Sequence, residues 1–147
     1  MLYNILNHSH SGLRWVLILV FILSLTGLYR VAFANKKCYS AVKRLGLITL
    51  ITVHLQLIIG LILYFISPLV IFSSSSMKDS VLRFYLVEHI SLMVIAIVLI
   101  TVGYSLSKKA EDEIKGFRKQ FWYYLIGFLL IIVSIPWPFR NLGAAWF

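Results

Sequence analysis

Two histidines and one glutamate stand inside stretches that are otherwise almost wholly apolar, His54 and the adjacent Glu88 and His89, and His10 stands just ahead of another such stretch and joins them if its helix extends outward. An ionisable group there costs at least a few kcal/mol in lipid, which makes each a candidate functional residue. Imidazole nitrogen binds first-row metals well, and two histidines on facing helices can clamp a porphyrin within an apolar helical bundle. Arg14, Arg83 and Arg140 would then supply cations for the propionates of such a group. The chemistry these residues suggest is non-covalent binding of haem b, with His10, His54 and His89 as candidate iron ligands. His89 is read as one ligand and His10 or His54 as the other. A second reading is that the histidines only hydrogen-bond between helices. A third is a non-haem metal site built from His10, His54, Glu88 and His89, although no i,i+3 or i,i+4 ligand pair supports it. Glu88 is expected to cap the helix or to pair with Arg83 or Arg14.

The elements that carry these residues follow from composition. Of 147 residues, 61% are hydrophobic and 13% charged, and mean hydropathy is +0.91. A soluble domain of this size has too little interior to hide that much apolar surface. A helix crossing the hydrocarbon core needs ~20 apolar residues. Four stretches qualify in outline, at about 13–33, 45–66, 81–106 and 121–137. They are continuously apolar rather than alternating, which disfavours strands. The expected fold is a single all-α domain, an integral-membrane up-down four-helix bundle. Ala32-Phe33-Ala34 imitates a signal-peptide cleavage site, but the apolar run before it exceeds the 7–15 residues of a signal core, so the first helix is expected to be retained.

The net charge of +9 would raise nucleic acid as a partner in a soluble protein. Here the cations lie between apolar runs and act as topology signals. Arg30, Lys36, Lys37, Lys43 and Arg44 lie between the first and second spans; Lys108, Lys109, Lys115, Arg118 and Lys119 lie between the third and fourth. The other side has Arg14, Lys78, Arg83 and Arg140. The positive-inside bias therefore puts the first side in the cytoplasm, with both termini facing outward. The single cysteine, Cys38, excludes an internal disulfide and a CxxCH site for covalent haem.

Rise and phase give the expected relation between the histidines. Their depths run His54, His89, His10 from the bilayer middle outward, with ~5–12 Å between neighbours at 1.5 Å per residue. His10 shares a face with Arg14, Leu17, Phe21, Ser24 and Leu28, whereas His8 is turned by ~200°. His89 shares a face with Tyr85, Ala96, Gly103 and Ser107, and His54 lies on an apolar stripe with Leu47, Ile58, Leu61 and Phe65. The glycines at 46, 103 and 127 are read as helix-packing positions.

Several motifs carry a resemblance: His8-Ser9-His10-Ser11-Gly12-Leu13-Arg14-Trp15, the run from His54 to Pro68, Met77-Lys78-Asp79-Ser80, Val87-Glu88-His89 and Ile135-Pro136-Trp137-Pro138-Phe139-Arg140. Together they make the chain resemble small four-span membrane proteins of Bacteroidetes commonly labelled "cytochrome B". The resemblance implies a b-type haem protein of the inner membrane, with His10, His54 and His89 as cofactor residues. Electrons would pass to or from a quinone or a respiratory partner subunit, without catalytic turnover of its own. Lipid is the expected environment, a homo-oligomer is compatible with the small size, and no nucleic acid is expected. The rival classes are a haem-free accessory or assembly subunit and a non-haem metal-binding membrane protein.

Overall fold

Long uninterrupted runs of Leu, Ile, Val and Phe have no polar partner for a bare backbone, so in lipid they must close their own hydrogen bonds as helices. The computed structural model describes residues 1–34 and 37–142. It contains helices and turns, with no strand among the described residues. The long helices are α1 (Leu2–Ala32), α2 (Tyr39–Ile66), α3 (Ser80–Lys108) and α4 (Glu113–Ser134). Of these, α1, α2 and α3 are long and apolar enough to cross a membrane, and the chain is a helical membrane protein. In α4 the charges Glu113, Lys115, Arg118 and Lys119 occupy the first turns. The uncharged part from Gln120 to Ser134 spans roughly 22 Å.

The boundaries differ from the sequence reading mainly at the ends. Helix α1 runs back to Leu2, so His10 lies well within it. Helix α4 starts at Glu113, which puts Lys115, Arg118 and Lys119 on a helix rather than in a loop, and it stops at Ser134 instead of 137. Asp112 sets that start, because its Oδ1 accepts from the N–H groups of Ile114 (2.8 Å) and Lys115 (3.1 Å). Asp79 does the same for α3, accepting from Val81 and Leu82. Lys36 lies outside the described residues.

Each helix packs on its neighbours in sequence, and α1 also packs on α4, which closes the ring. At one end Lys43 of α2 pairs with Glu113 of α4, and Arg118 Nε donates to the carbonyl of Ala32 (3.0 Å). The buried face of α1 consists of Arg14, Leu17, Phe21, Ser24, Leu28, Val31 and Ala32, the stripe expected from helical phase, extended by its last two residues. Phe21 stacks on Phe128 (4.9 Å between centroids), and Tyr124 donates to the carbonyl of Gly46 (2.8 Å). The α3–α4 contact is the closest-fitting one. A side chain at Gly127 would bring its Cβ to 2.7 Å from Ile100 Cγ1 and 3.2 Å from the carbonyl of Ala96. Small residues of this kind let helices approach without a hydrophobic drive between them. Thr49, Thr52 and Thr101 return their hydroxyls to carbonyls four residues back, so these three hydroxyl protons are not left bare in an apolar setting.

Two outcomes test these packing and capping roles. Gly127→Leu should separate α3 from α4 and lower the thermal midpoint in detergent well below that of Leu129→Ala, a change at a lipid-facing position. At Asp112 the backbone bond from Lys115 foremost, then that from Ile114, and the nearby Lys115 and Arg118 charges, hold the carboxyl below its ordinary pKa. The folded value is depressed, so the cap stabilises above the unfolded pKa and loses this contribution as pH falls through the folded value. Asp112→Ala should therefore be less stable than wild type near neutrality, and the difference should shrink in strong acid. Asp112→Asn should retain much of the cap.

Candidate functional site

The chemistry-bearing residues gather in the half of the molecule away from the Lys43–Glu113 pair, around the end of α4. Two prolines make that end unusual. In a continuing helix the carbonyls of Ile132 and Ser134 would accept from the N–H groups of residues 136 and 138, but Pro136 and Pro138 have none. A bare carbonyl in an apolar interior is expensive. Side chains meet the need: Trp137 Nε1 donates to the carbonyl of Ile132 (2.9 Å), Arg140 Nη1 to that of Val133 (2.9 Å), and His89 Nδ1 to that of Ser134 (2.7 Å). A carbonyl only accepts, so His89 carries its proton on Nδ1 and keeps the Nε2 lone pair.

Helix α3 delivers His89 through a π-helical turn over Phe84–Glu88, closed by the His89 N–H to the carbonyl of Phe84. The widened turn brings residues five apart to one side, and Arg83 Nε donates to Glu88 Oε1 at 2.9 Å. The pairing of Glu88 with Arg83 thus matches one of the two partners expected from sequence. Tyr64 of α2 donates its hydroxyl to the carbonyl of Leu86 within the π turn (2.9 Å).

Between these elements lies a cavity of about 350 Å³ walled by His10 and Arg14 of α1, Gln56 and Gly60 of α2, and Tyr85 and His89 of α3. That volume is at the lower end of the range of ~300–1,000 Å³ for small-molecule and cofactor pockets. Ser67, Leu69 and Val70 cover it from the loop after α2, and Tyr3, Asn7 and His8 from the outer turns of α1 contribute a polar rim. The rings of His10 and His89 lie 6.5 Å apart, edge to face at 74°. Their separate depths along the chain therefore converge in space. His10 is fastened differently from His89. Gln56 Nε2 donates to its backbone carbonyl (2.7 Å), but its ring Nδ1 is buried with no hydrogen-bond partner, as is Gln56 Oε1. The absence of a side chain at Gly60 makes room for the ring: a Cβ there would come within 3.1 Å of His10 Cε1.

The other expected residues sit elsewhere. His54 lies in a shallow, open dent of α2 with Leu50, Ile51, Leu55 and Ile58, and its Nδ1 donates to the carbonyl of Leu50 one turn back (2.8 Å). It is not brought to the cavity. Arg83 is engaged with Glu88 and the carbonyl of Met77, and Arg140 with the end of α4 and the ring of Phe84, 5.0 Å from the centroid. Of the three arginines, only Arg14 lines the cavity, 8% exposed and with its guanidinium 5.4 Å from the Trp15 ring and 5.9 Å from that of Trp137. Among the described residues no three His, Cys, Asp or Glu side chains converge as a metal-binding group. Sequence reasoning missed Gln56 and Tyr64 as contacts of the site. An amide within an apolar span, four residues before a glycine, was the available signal for Gln56.

The two imidazoles that bond to carbonyls should differ in structural weight. His89→Leu leaves the Ser134 carbonyl without its donor, at a cost of about 1–3 kcal/mol. His54→Leu removes a bond to a carbonyl that lies in mid-helix and keeps its own helical donor, so little stability should be lost. Thermal unfolding of both variants in one detergent measures the contrast.

Compared with protein-family models, curated proteins and solved structures, the chain gives no match.

Proposed function

We propose that the chain is a four-span membrane b-type cytochrome whose cavity holds haem b between His10 and His89. The observation that carries this reading is the pairing of those two rings across one cavity. Their centroids are 6.5 Å apart, edge to face at 74°, and both residues line the same cavity. The donor set fits as well. His89 gives its Nδ1 proton to a backbone carbonyl, the arrangement typical of a metal-ligating histidine, and His10 lines the same cavity.

Haem b, when bound, supplies a one-electron iron couple. The chain's own residues supply the rest. The Ser134 carbonyl orients His89 and strengthens it as a donor. Leu17, Val53, Met93 and Ile97 present apolar walls that exclude water from a flat ring. Arg14, one helical turn inward from His10, lines the cavity and would pair with a propionate. His54, Arg83 and Arg140 have no part in the binding.

The same reading takes α4 as the fourth span, with both termini periplasmic and the chain in a bacterial inner membrane. The clustering of Arg30, Lys43, Arg44, Lys108, Lys109, Lys115 and Arg118 towards the opposite end supports that orientation. The electron partner would be a quinone or a respiratory subunit reached from the outer half. The competing reading is a haem-free accessory subunit, in which His89 only fastens α3 to α4; the bond to Ser134 serves that role equally well.

Absorbance of the detergent-purified protein, expressed with haem in supply, separates the two. A Soret band with α and β bands on reduction is expected, lost in His89→Gln and unchanged in His54→Ala. Monodisperse protein without those bands in either redox state, or a His89→Gln variant with wild-type bands, overturns the cytochrome reading.

A further inference from the structure

The two imidazoles that face each other across the cavity are held unequally. His89 is fixed at Nδ1 by the Ser134 carbonyl and sits in the part of α3 braced by Tyr64 and the Arg83–Glu88 pair. His10 has no such anchor on its ring, since its Nδ1 lacks a partner and only its backbone carbonyl is tied, by Gln56. The packing differs in the same sense. The buried face of α1 begins at Arg14, one turn inward of His10, and none of the residues from Leu2 to Leu13 is fully buried. Segments with few buried contacts open locally at low cost. The cavity rim beside the ring of His10 is formed by Asn7, His8 and Ser11, the side toward which the ring can withdraw.

From this asymmetry we propose that His10 is a displaceable arm, and that the place its ring vacates admits a small neutral diatomic π-acceptor ligand to the metal side of the cavity. This inference rests on the haem reading above and specifies the ligand class of that site. His89 is the permanent ligand. It keeps the group in the protein whether His10 is engaged or withdrawn, because its hydrogen bond to Ser134 does not depend on α1. Gln56 is a positioning residue: by holding the His10 carbonyl it biases the arm toward engagement. A ligand that binds only when the arm is withdrawn has its apparent affinity reduced by the withdrawn fraction. Wild type should therefore bind such a ligand, but less tightly than a protein without the arm.

Carbon monoxide is the probe, added to the dithionite-reduced, haem-loaded full-length protein in detergent and in lipid nanodiscs. The expected results are a shifted Soret band in wild type and retained but high-spin haem in His10→Ala. That variant should bind carbon monoxide at least about tenfold more tightly than wild type, the factor for an arm withdrawn about one-tenth of the time or less. Added imidazole should restore its low-spin spectrum. Gln56→Leu, which keeps both histidines, should shift affinity in the same direction by a smaller factor and serves if His10→Ala is not monodisperse. Haem-loaded wild type whose reduced spectrum does not respond to saturating carbon monoxide overturns the displaceable arm. Loss of haem from a folded His10→Ala to the same extent as from His89→Gln also overturns it. Wild type that carries no haem at all refutes the cytochrome reading instead.

Discussion

A carbonyl without a donor cannot be left in hydrocarbon, and the end of α4 makes several of them at once. Pro136 and Pro138 withdraw the N–H groups that would have closed the last turns. The chain answers with an indole, a guanidinium and an imidazole, each from a different position in sequence. This demand sets the orientation of His89, the position of Arg140 over Phe84 and the folding of the Trp137 segment back toward Trp15. The geometry of the cavity is thus a by-product of ending a helix inside an apolar environment.

The π turn of α3 complements that arrangement. It places Tyr85 and His89 on the cavity wall while pairing Arg83 with Glu88 on the outer surface. The pair is about 40% exposed on both sides, so its value lies in holding the turn's register more than in net stability. Tyr64 completes the local set by hydrogen-bonding to the widened backbone. Helices α2 and α3 are therefore linked at the cavity end of the bundle by a hydroxyl–carbonyl bond, while α1 and α2 are linked by Gln56 and the His10 carbonyl.

Much of this was legible in the sequence because helix phase is rigid. The face predicted from His10 through Arg14, Leu17, Phe21, Ser24 and Leu28 is the buried face of α1, and Gly103 and Gly127 lie at close helix contacts. Depth was less legible. Counting rise along straight helices from the cytoplasmic ends placed His10 and His89 at different levels, and could register neither the tilt of the helices nor a π turn just before His89. The arginines were grouped by side of the membrane, which says where a cation lies but not which acceptor it meets. Local competition decided that: Glu88 took Arg83, the end of α4 took Arg140, and Arg14 lies on the cavity wall. His54 could not be separated from the others by type or spacing. Only the path of α2 against its neighbours shows it to be on an outer flank.

Helix α1, at 31 residues, is roughly 46 Å long, against a hydrocarbon core of ~30 Å. The surplus has to be absorbed by tilt or by projection beyond the lipid, and His10 lies on the third turn from the N-terminal end of the helix. Bilayer thickness thereby becomes a variable of the cavity. A thicker membrane draws the outer turns of α1 into lipid and dries the rim at Asn7, His8 and Ser11, and a thinner one wets it. The polarity of the cavity mouth is shared between the sequence and the membrane that surrounds it.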